Sequence, residues 1–241
     1  MKDLRDKTCW LIGASEGLGR ELALALSEQG VRLILSARNT ARLEELRDQI
    51  RDATPLPMDV TDCKAVIDAS KQTGHIDMVI YNAGAYDPMA AQDWNTDAIL
   101  KMSEVNYNGA VHVVGAVIPD FLARGQGEII LIGSLAGYRG LPAALGYGPG
   151  KAALRSMAET LRYDLRGTGV WVKLVNPGFI KTRLTAKNRF RMPMLMEPAQ
   201  AAQHVMRAIK RRRFRTDFPV PFSWVIRAIG ILPDWIIWRG K

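Results

Sequence analysis

The 241-residue chain has little of what staples small folds or ligates metals: two cysteines and three histidines. Cys9 lies in an apolar run and Cys63 in a helix-like stretch. Two buried free thiols in a reducing compartment are therefore expected rather than a bridge. His75, His112 and His204 are scattered, with no metal-ligand spacing and no carboxylate cluster beside them, so no metal site is expected. Long apolar runs are missing too. The charges of residues 1–7 are followed by an apolar run too short for a signal-peptide core or a membrane span, which points to a cytoplasmic protein. Repeats, low-complexity tracts and Pro/Gly/Ser linkers are absent, so residues 1–217 read as one unit with residues 218–241 as an apolar tail on it. Acidic residues are scarce in one region only. Residues 1–180 hold 19 basic and 21 acidic side chains, a net of −2, whereas residues 181–241 hold 14 and 3, a net of +11. The excess of +9 over the chain therefore needs a local explanation.

What is present is an alternation. Strand-like runs at 9–13, 31–37, 77–81, 128–133 and 170–176 are interleaved with helix-like stretches at 18–28, 40–51, 62–71, 97–123, 147–166 and 198–212. Thr40 is a plausible cap, and residues 213–217 could add a last strand. Residues 56–59 form a poor strand because Pro55 and Pro57 cannot donate to a ladder, which places it at a sheet edge. Strands alternating with helices predict an α/β fold of the Rossmann type, a doubly wound parallel sheet with helices on both faces.

The first strand-to-helix turn carries Gly13, Ser15, Glu16, Gly17, Leu18 and Gly19. Gly13 permits the tight turn, Gly17 lets backbone N–H groups approach a pyrophosphate, and Gly19 lets the helix pack on the sheet. After the second strand come Ser36, Ala37, Arg38 and Asn39, with no acid to hold a ribose 2′-hydroxyl. Arg38 can instead meet a 2′-phosphate, with Ser36 or Asn39 adding a hydrogen bond, so NADP is preferred over NAD. Glu16 argues mildly against this unless it points outward.

Tyr147 and Lys151 are four residues apart, one turn on along a helix face, and Ser134 ends an apolar run upstream. A phenol beside a fixed ammonium becomes a usable acid, because the cation favours the phenolate. Pro149 between them is tolerated only in a first turn, so the helix should start close to Tyr147.

On these residues the chain resembles the short-chain dehydrogenase/reductase family, in its single-domain branch, over about residues 5–217. The glycine stretch from Gly13 to Gly19 matches. Asp59-Val60 is similar to the family's adenine-contact pair, and Tyr81-Asn82-Ala83-Gly84 to its Asn-Asn-Ala-Gly turn, with Tyr81 replacing the first Asn. Asn106 falls where the family's catalytic Asn sits, Ser134, Tyr147 and Lys151 align with its catalytic Ser and Tyr-x-x-x-Lys pair, and Pro177-Gly178-Phe179-Ile180-Lys181-Thr182 with its Pro-Gly motif and nicotinamide-contacting Thr. The resemblance implies hydride transfer between a nicotinamide and a carbonyl, with Tyr147 as acid or base at a pKa lowered toward neutrality. It also implies Lys151 on the ribose hydroxyls, Ser134 on the substrate oxygen and Asn106 holding a relay water. Asn82, Ala83, Gly84, Pro177, Gly178, Ile180 and Thr182 would contact the cofactor, and a homodimer or homotetramer is expected on the same ground.

The methionines of the loop 181–196 suit an adaptable apolar pocket wall, and a small hydrophobic carbonyl or alcohol is the expected substrate. A 3-oxoacyl-thioester reductase, with an acidic carrier protein on the basic loop, is the enzymatic rival; a catalytically silent dinucleotide sensor is the other. The tail 219–238, rich in Trp, Ile and Phe, either folds over the pocket or a subunit, or docks peripherally on an anionic membrane together with the basic run 210–215. No nucleic-acid module accompanies that run.

Overall fold

The computed structural model describes residues 3–237. Among them, seven strands form one parallel sheet: β1 (Thr8–Ile12), β2 (Arg32–Ser36), β3 (Ala53–Pro55), β4 (Met78–Tyr81), β5 (Gly127–Ile132), β6 (Val170–Pro177) and β7 (Arg215–Phe218), in the order β3-β2-β1-β4-β5-β6-β7. Side chains alternate between the sheet's two faces, and each face carries its own core. Cys9, Leu11, Leu33, Leu35, Ile80 and Ile130 belong to one core, Trp10, Ile12, Val79, Tyr81, Ile129 and Leu131 to the other. Helices α1 (Gly17–Ser27) and α7 (Pro198–Lys210) cover the first face. Helices α3 (Cys63–Gln72), α5 (Gly109–Arg124) and α6 (Tyr147–Asp164) cover the second. The expected Rossmann-type architecture is the one observed. The strand order reverses between β1 and β4, which opens a crevice beyond their carboxyl ends.

Four details differ from expectation. The edge strand pairs at Ala53–Pro55, not at 56–59, because Leu33 to Leu35 run beside it and Pro57 cannot continue the ladder. Helix α2 (Thr40–Arg47) is capped by Asn39, whose Oδ1 accepts from the Arg42 N–H at 3.0 Å, and not by Thr40. The long helix 97–123 is broken: α4 (Thr96–Ser103) passes into a π-helical turn, Glu104–Asn108, before α5. Cys9 is buried as expected, but Cys63, the first residue of α3, is exposed.

The break has a visible cause. Tyr81, buried at the end of β4, donates its hydroxyl to the Val105 carbonyl inside the π turn. Gly109 lies directly beneath, where a Cβ would sit 2.5 Å from that hydroxyl oxygen and 2.8 Å from Val60 Cγ2. The tyrosine takes a carbonyl that a regular helix would use internally, and the missing side chain at Gly109 makes room for it.

Beyond β7, α8 (Phe222–Ile231) turns back over the carboxyl end of the sheet, followed by α9 (Asp234–Ile237). No helix among the described residues is long and apolar enough to cross a membrane. Trp238 of the apolar tail lies outside the described residues.

Candidate active site

The crevice at the strand reversal is a cleft of about 1430 Å³. Its floor is the glycine turn between β1 and α1. Gly13 has φ +84°, and a Cβ there would lie 2.7 Å from the Ala83 nitrogen. Gly19 lies against the turn itself, with a Cβ position 1.9 Å from the Gly13 carbonyl oxygen. Asn82 Nδ2 donates to that carbonyl oxygen at 2.9 Å, tying the end of β4 to the turn. Gly13, Ser15, Glu16, Gly17, Leu18, Asn82, Ala83 and Gly84 line the cleft; Gly19 does not, and its place in the fold is close helix packing. Arg38, Asn39, Asp59 and Val60 line the neighbouring wall, and Pro177, Gly178, Ile180 and Thr182 the wall opposite.

Ser36 is not part of this surface. It is fully buried, accepting from Trp10 Nε1 at 2.9 Å and donating to the Leu56 carbonyl at 2.7 Å, so the hydrogen bond to a 2′-phosphate expected of it is not available. Asn39 has its Oδ1 engaged in capping α2 and keeps only its amide group for a ligand. Arg42, in the first turn of α2, lines the same wall as Arg38. Its Nη1 is 2.6 Å from Glu16 Oε2, while Arg38 is only loosely held, 4.0 Å from Asp59. Arg183, from the loop after β6, approaches Glu16 Oε1 to 2.7 Å. Glu16 is thus clasped between two guanidiniums. Burial would raise its pKa, but the Arg183 hydrogen bonds and the charges of both arginines outweigh that and lower it.

On the far side of the cleft stand Ser134, Tyr147 and Lys151. Ser134 has an extended backbone and its Oγ accepts from the Ala136 N–H at 3.1 Å, which fixes the hydroxyl at the mouth of β5. Helix α6 starts at Tyr147, so Pro149 falls in its first turn as required. The Ser134 hydroxyl stands beside the Tyr147 phenol on this wall. Lys151 is 4% exposed and donates to the Ile132 carbonyl at 2.9 Å, with its Nζ 5.8 Å from the Tyr147 ring centre. Burial lowers the Lys151 pKa to about 8. The Tyr147 pKa is not lowered here, contrary to the sequence-based expectation. Burial raises it, the Ser134 hydrogen bond pulls it down, and neighbouring Tyr86 adds to the rise. Lys151 has its ammonium on a carbonyl, and the acidifying charge of an oxidised nicotinamide is a property of the loaded cleft.

Asn106 is buried behind this group, not in the cleft wall. Its Nδ2 donates to the Ala85 carbonyl at 2.8 Å and its Oδ1 accepts from the Ala85 N–H at 3.2 Å. The side chain thus engages the Ala85 backbone with one N–H and one lone pair of its amide. It fixes the backbone that follows the Asn82-Ala83-Gly84 turn. Tyr86, next along, meets Tyr147 edge-on with ring centres 5.1 Å apart and donates to Asn188 Oδ1 at 2.7 Å. An aromatic residue two positions past an Asn-Ala-Gly turn was the only signal for it.

The loop 181–196 closes on itself, with the Lys181 N–H on the Met196 carbonyl at 2.8 Å and the Met196 N–H on the Phe179 carbonyl at 3.0 Å. Phe190 and Phe222 both pack on Phe179, at 5.7 and 5.8 Å between ring centres, and all three line the cleft beside Leu141 and Ile226. The tail thus does fold over the cleft, through the inner face of α8. The basic run does not accompany it: Lys210 to Arg213 precede β7, at the end of the sheet away from the cleft.

Comparison with known proteins agrees with this geometry. Residues 7–192 match the family described as short chain dehydrogenase. A Myxococcus xanthus protein named as an uncharacterized oxidoreductase is 36% identical over 242 residues, covering 97% of this chain and 96% of its own. A short chain dehydrogenase from Burkholderia cenocepacia, solved in complex with NADP, superposes with a TM-score of 0.86 at 26% identity, covering 98% and 97% of the two chains. One from Sphingobium yanoikuyae in complex with NADPH gives 0.84 at 25% identity, covering 92% of each. The chain belongs to the short-chain dehydrogenase/reductase family of NAD(P)-dependent oxidoreductases.

Proposed function

We propose that the protein uses NADP(H) to interconvert a carbonyl and an alcohol on a small hydrophobic substrate, with Tyr147 as the proton donor or acceptor. The observation that carries this reading is the Ser134–Tyr147 hydroxyl pair on the cleft wall, with the Lys151 ammonium buried one turn further along α6. The dinucleotide fits the residues present: the glycine turn leaves bare backbone on the floor, and Arg38 and Arg42 offer two guanidiniums where a 2′-phosphate would lie. When bound, the nicotinamide supplies or accepts the hydride.

The chain's own residues do the rest. Ser134 orients the substrate oxygen. Tyr147, kept neutral by burial, gives that oxygen a proton in the reducing direction and takes it back in the oxidising one. Lys151, whose pKa of about 8 leaves it mostly charged at neutral pH, stabilises the phenolate that results. Asn106 and Tyr81 hold the π turn and the Ala85 backbone in place. Phe179, Phe190, Phe222 and Ile226 exclude water and favour an apolar substrate. Residues 1–217 would form the catalytic unit, with the tail as one wall of its cleft.

The test is NADPH oxidation against a panel of hydrophobic ketones, with carrier-linked 3-oxoacyl thioesters alongside. Tyr147→Phe is expected to lose turnover by at least roughly a hundredfold with NADPH affinity kept. Turnover restricted to carrier-linked thioesters would favour the carrier-protein reading, and full turnover of Tyr147→Phe would overturn the mechanism.

A further inference from the structure

Helix α8 closes the cleft with one face, and none of the described residues covers the other. Phe222, Ile226 and Gly230, spaced by four, face inward: the first two line the cleft and Gly230 lies against Tyr138. The opposite face presents Trp224, 64% exposed, and Ile231, 86% exposed, with Val225 at its flank and Val220 just before the helix. Arg227 is the helix's one charged residue, and its guanidinium is turned to Asp217 at 3.5 Å. A helix that is apolar round nearly its whole circumference is normally covered on all sides.

The apolar surface continues across the mouth of the cleft. Phe190, Met194 and Leu195 of the loop are exposed, and Phe190 is joined through Phe179 to Phe222. Arg189 and Arg191 flank Phe190 and are exposed. Acid is nearly used up here. Of the three acidic residues after position 180, Glu197 pairs with Lys181 and Asp217 is buried against Arg215 and Arg227.

We propose that this face, formed by α8 and the loop 189–195, docks on the surface of an anionic lipid bilayer, with the substrate cleft opening into the interface. Tryptophan and aliphatic side chains would enter the headgroup boundary and the arginines would meet the headgroups. A second copy fits the face less well. An isologous contact would set the same cations against each other, whereas anionic headgroups neutralise them. The basic run 210–213 takes no part, because it lies at the other end of β7. Docking itself stands on the surface alone; only the purpose, delivery of an apolar ketone from lipid to Tyr147, rests on the function proposed above.

The experiment is co-sedimentation of the full chain with vesicles of phosphatidylcholine alone and of phosphatidylcholine with phosphatidylglycerol. The expected result is stronger binding to the anionic vesicles, weakened by salt. Arg189→Glu should lower partitioning onto anionic vesicles roughly tenfold. Trp224→Ser with Ile231→Ser should lower it roughly tenfold on both kinds. Neither variant should change melting temperature or NADPH affinity. Wild-type protein that stays in the supernatant with both vesicles overturns the proposal. So does equal sedimentation of the Trp224/Ile231 variant. If that variant instead falls from dimer to monomer by light scattering while the wild type ignores vesicles, the face is a contact between copies. NADPH oxidation with a water-soluble ketone, without vesicles, reports on the chemistry separately, so the two proposals can fail independently.

Discussion

Replacing Arg42 with alanine should separate the two nicotinamide dinucleotides. In the cleft the Arg42 guanidinium is 2.6 Å from the Glu16 carboxylate, while Arg38 is 4.0 Å from Asp59. A 2′-phosphate between them would gain a charge-assisted contact with Arg42 of about 1.5–3 kcal/mol, or roughly 10- to 150-fold in Kd. To make it, Arg42 must give up Glu16. Both side chains of that pair are well exposed, so the loss is about 0–1 kcal/mol. The net effect of Arg42→Ala is therefore near the lower end, roughly tenfold weaker for NADP and within about twofold for NAD, which lacks the phosphate. Glu16→Gln acts the other way, by removing the competing carboxylate, and should tighten NADP by up to roughly fivefold. In the double variant the effect of Glu16→Gln should largely vanish, since its partner is gone. Calorimetric titration with NADP, NAD and 2′,5′-ADP measures all of this without turnover. Equal weakening toward NADP and NAD would refute the reasoning, because Arg42 would then be holding the fold or the adenosine rather than the phosphate.

Three further outcomes follow from buried polar groups. Lys173 and Glu128 form an ion pair at 2.8 Å within the sheet, and Lys173 also donates to the Ala208 carbonyl at the end of α7. Lys173→Met should cost about 3–5 kcal/mol, lowering the melting temperature by about 6–20 °C, and Glu128→Leu in the same chain should restore much of it. Lys151→Met should do the reverse. A lysine whose native pKa is about 8 binds its proton less readily than in the unfolded chain. Stability therefore rises as pH goes from 8 toward its unfolded value near 10.4, and at pH 7 the whole cost is present. Removing the charge should stabilise the protein by up to about 3 kcal/mol at pH 7 while turnover is lost, and urea titrations at pH 7 and 9.5 would show a pH slope that disappears in the variant. Tyr81→Phe leaves the Val105 carbonyl buried and unpaired, so a loss of about 1–3 kcal/mol is expected. A larger fall in kcat than in NADPH affinity would mark its role in holding the π turn.

The parts of the site legible in the sequence are those whose geometry is local. A glycine turn after a strand and a Tyr-Lys pair one helical turn apart need only their own backbone to come together, and the structure brings each together as its spacing requires. What was missed depends on partners far along the chain. Ser36 follows the second strand in a position that suits a ligand, but Trp10 across the ladder and Leu56 take both sides of its hydroxyl. Asn106 carries no sequence sign of its partner, and only the return of residue 85 against the π turn shows its amide paired with the Ala85 backbone. The pairing of Lys173 with Glu128 has no local sign, and exists only because the register sets β5 beside β6 and α7 packs over them. The tail shows the same limit from the other side. Its apolar excess was evident, and the spacing of four from Phe222 to Ile226 to Gly230 marks an inward face once the helix is known to begin at Phe222. A helix of ten residues with a single charge has more apolar surface than one face can hide. That remainder, not the basic run beside it in sequence, is what a partner would cover, because β7 carries the two to opposite ends of the sheet.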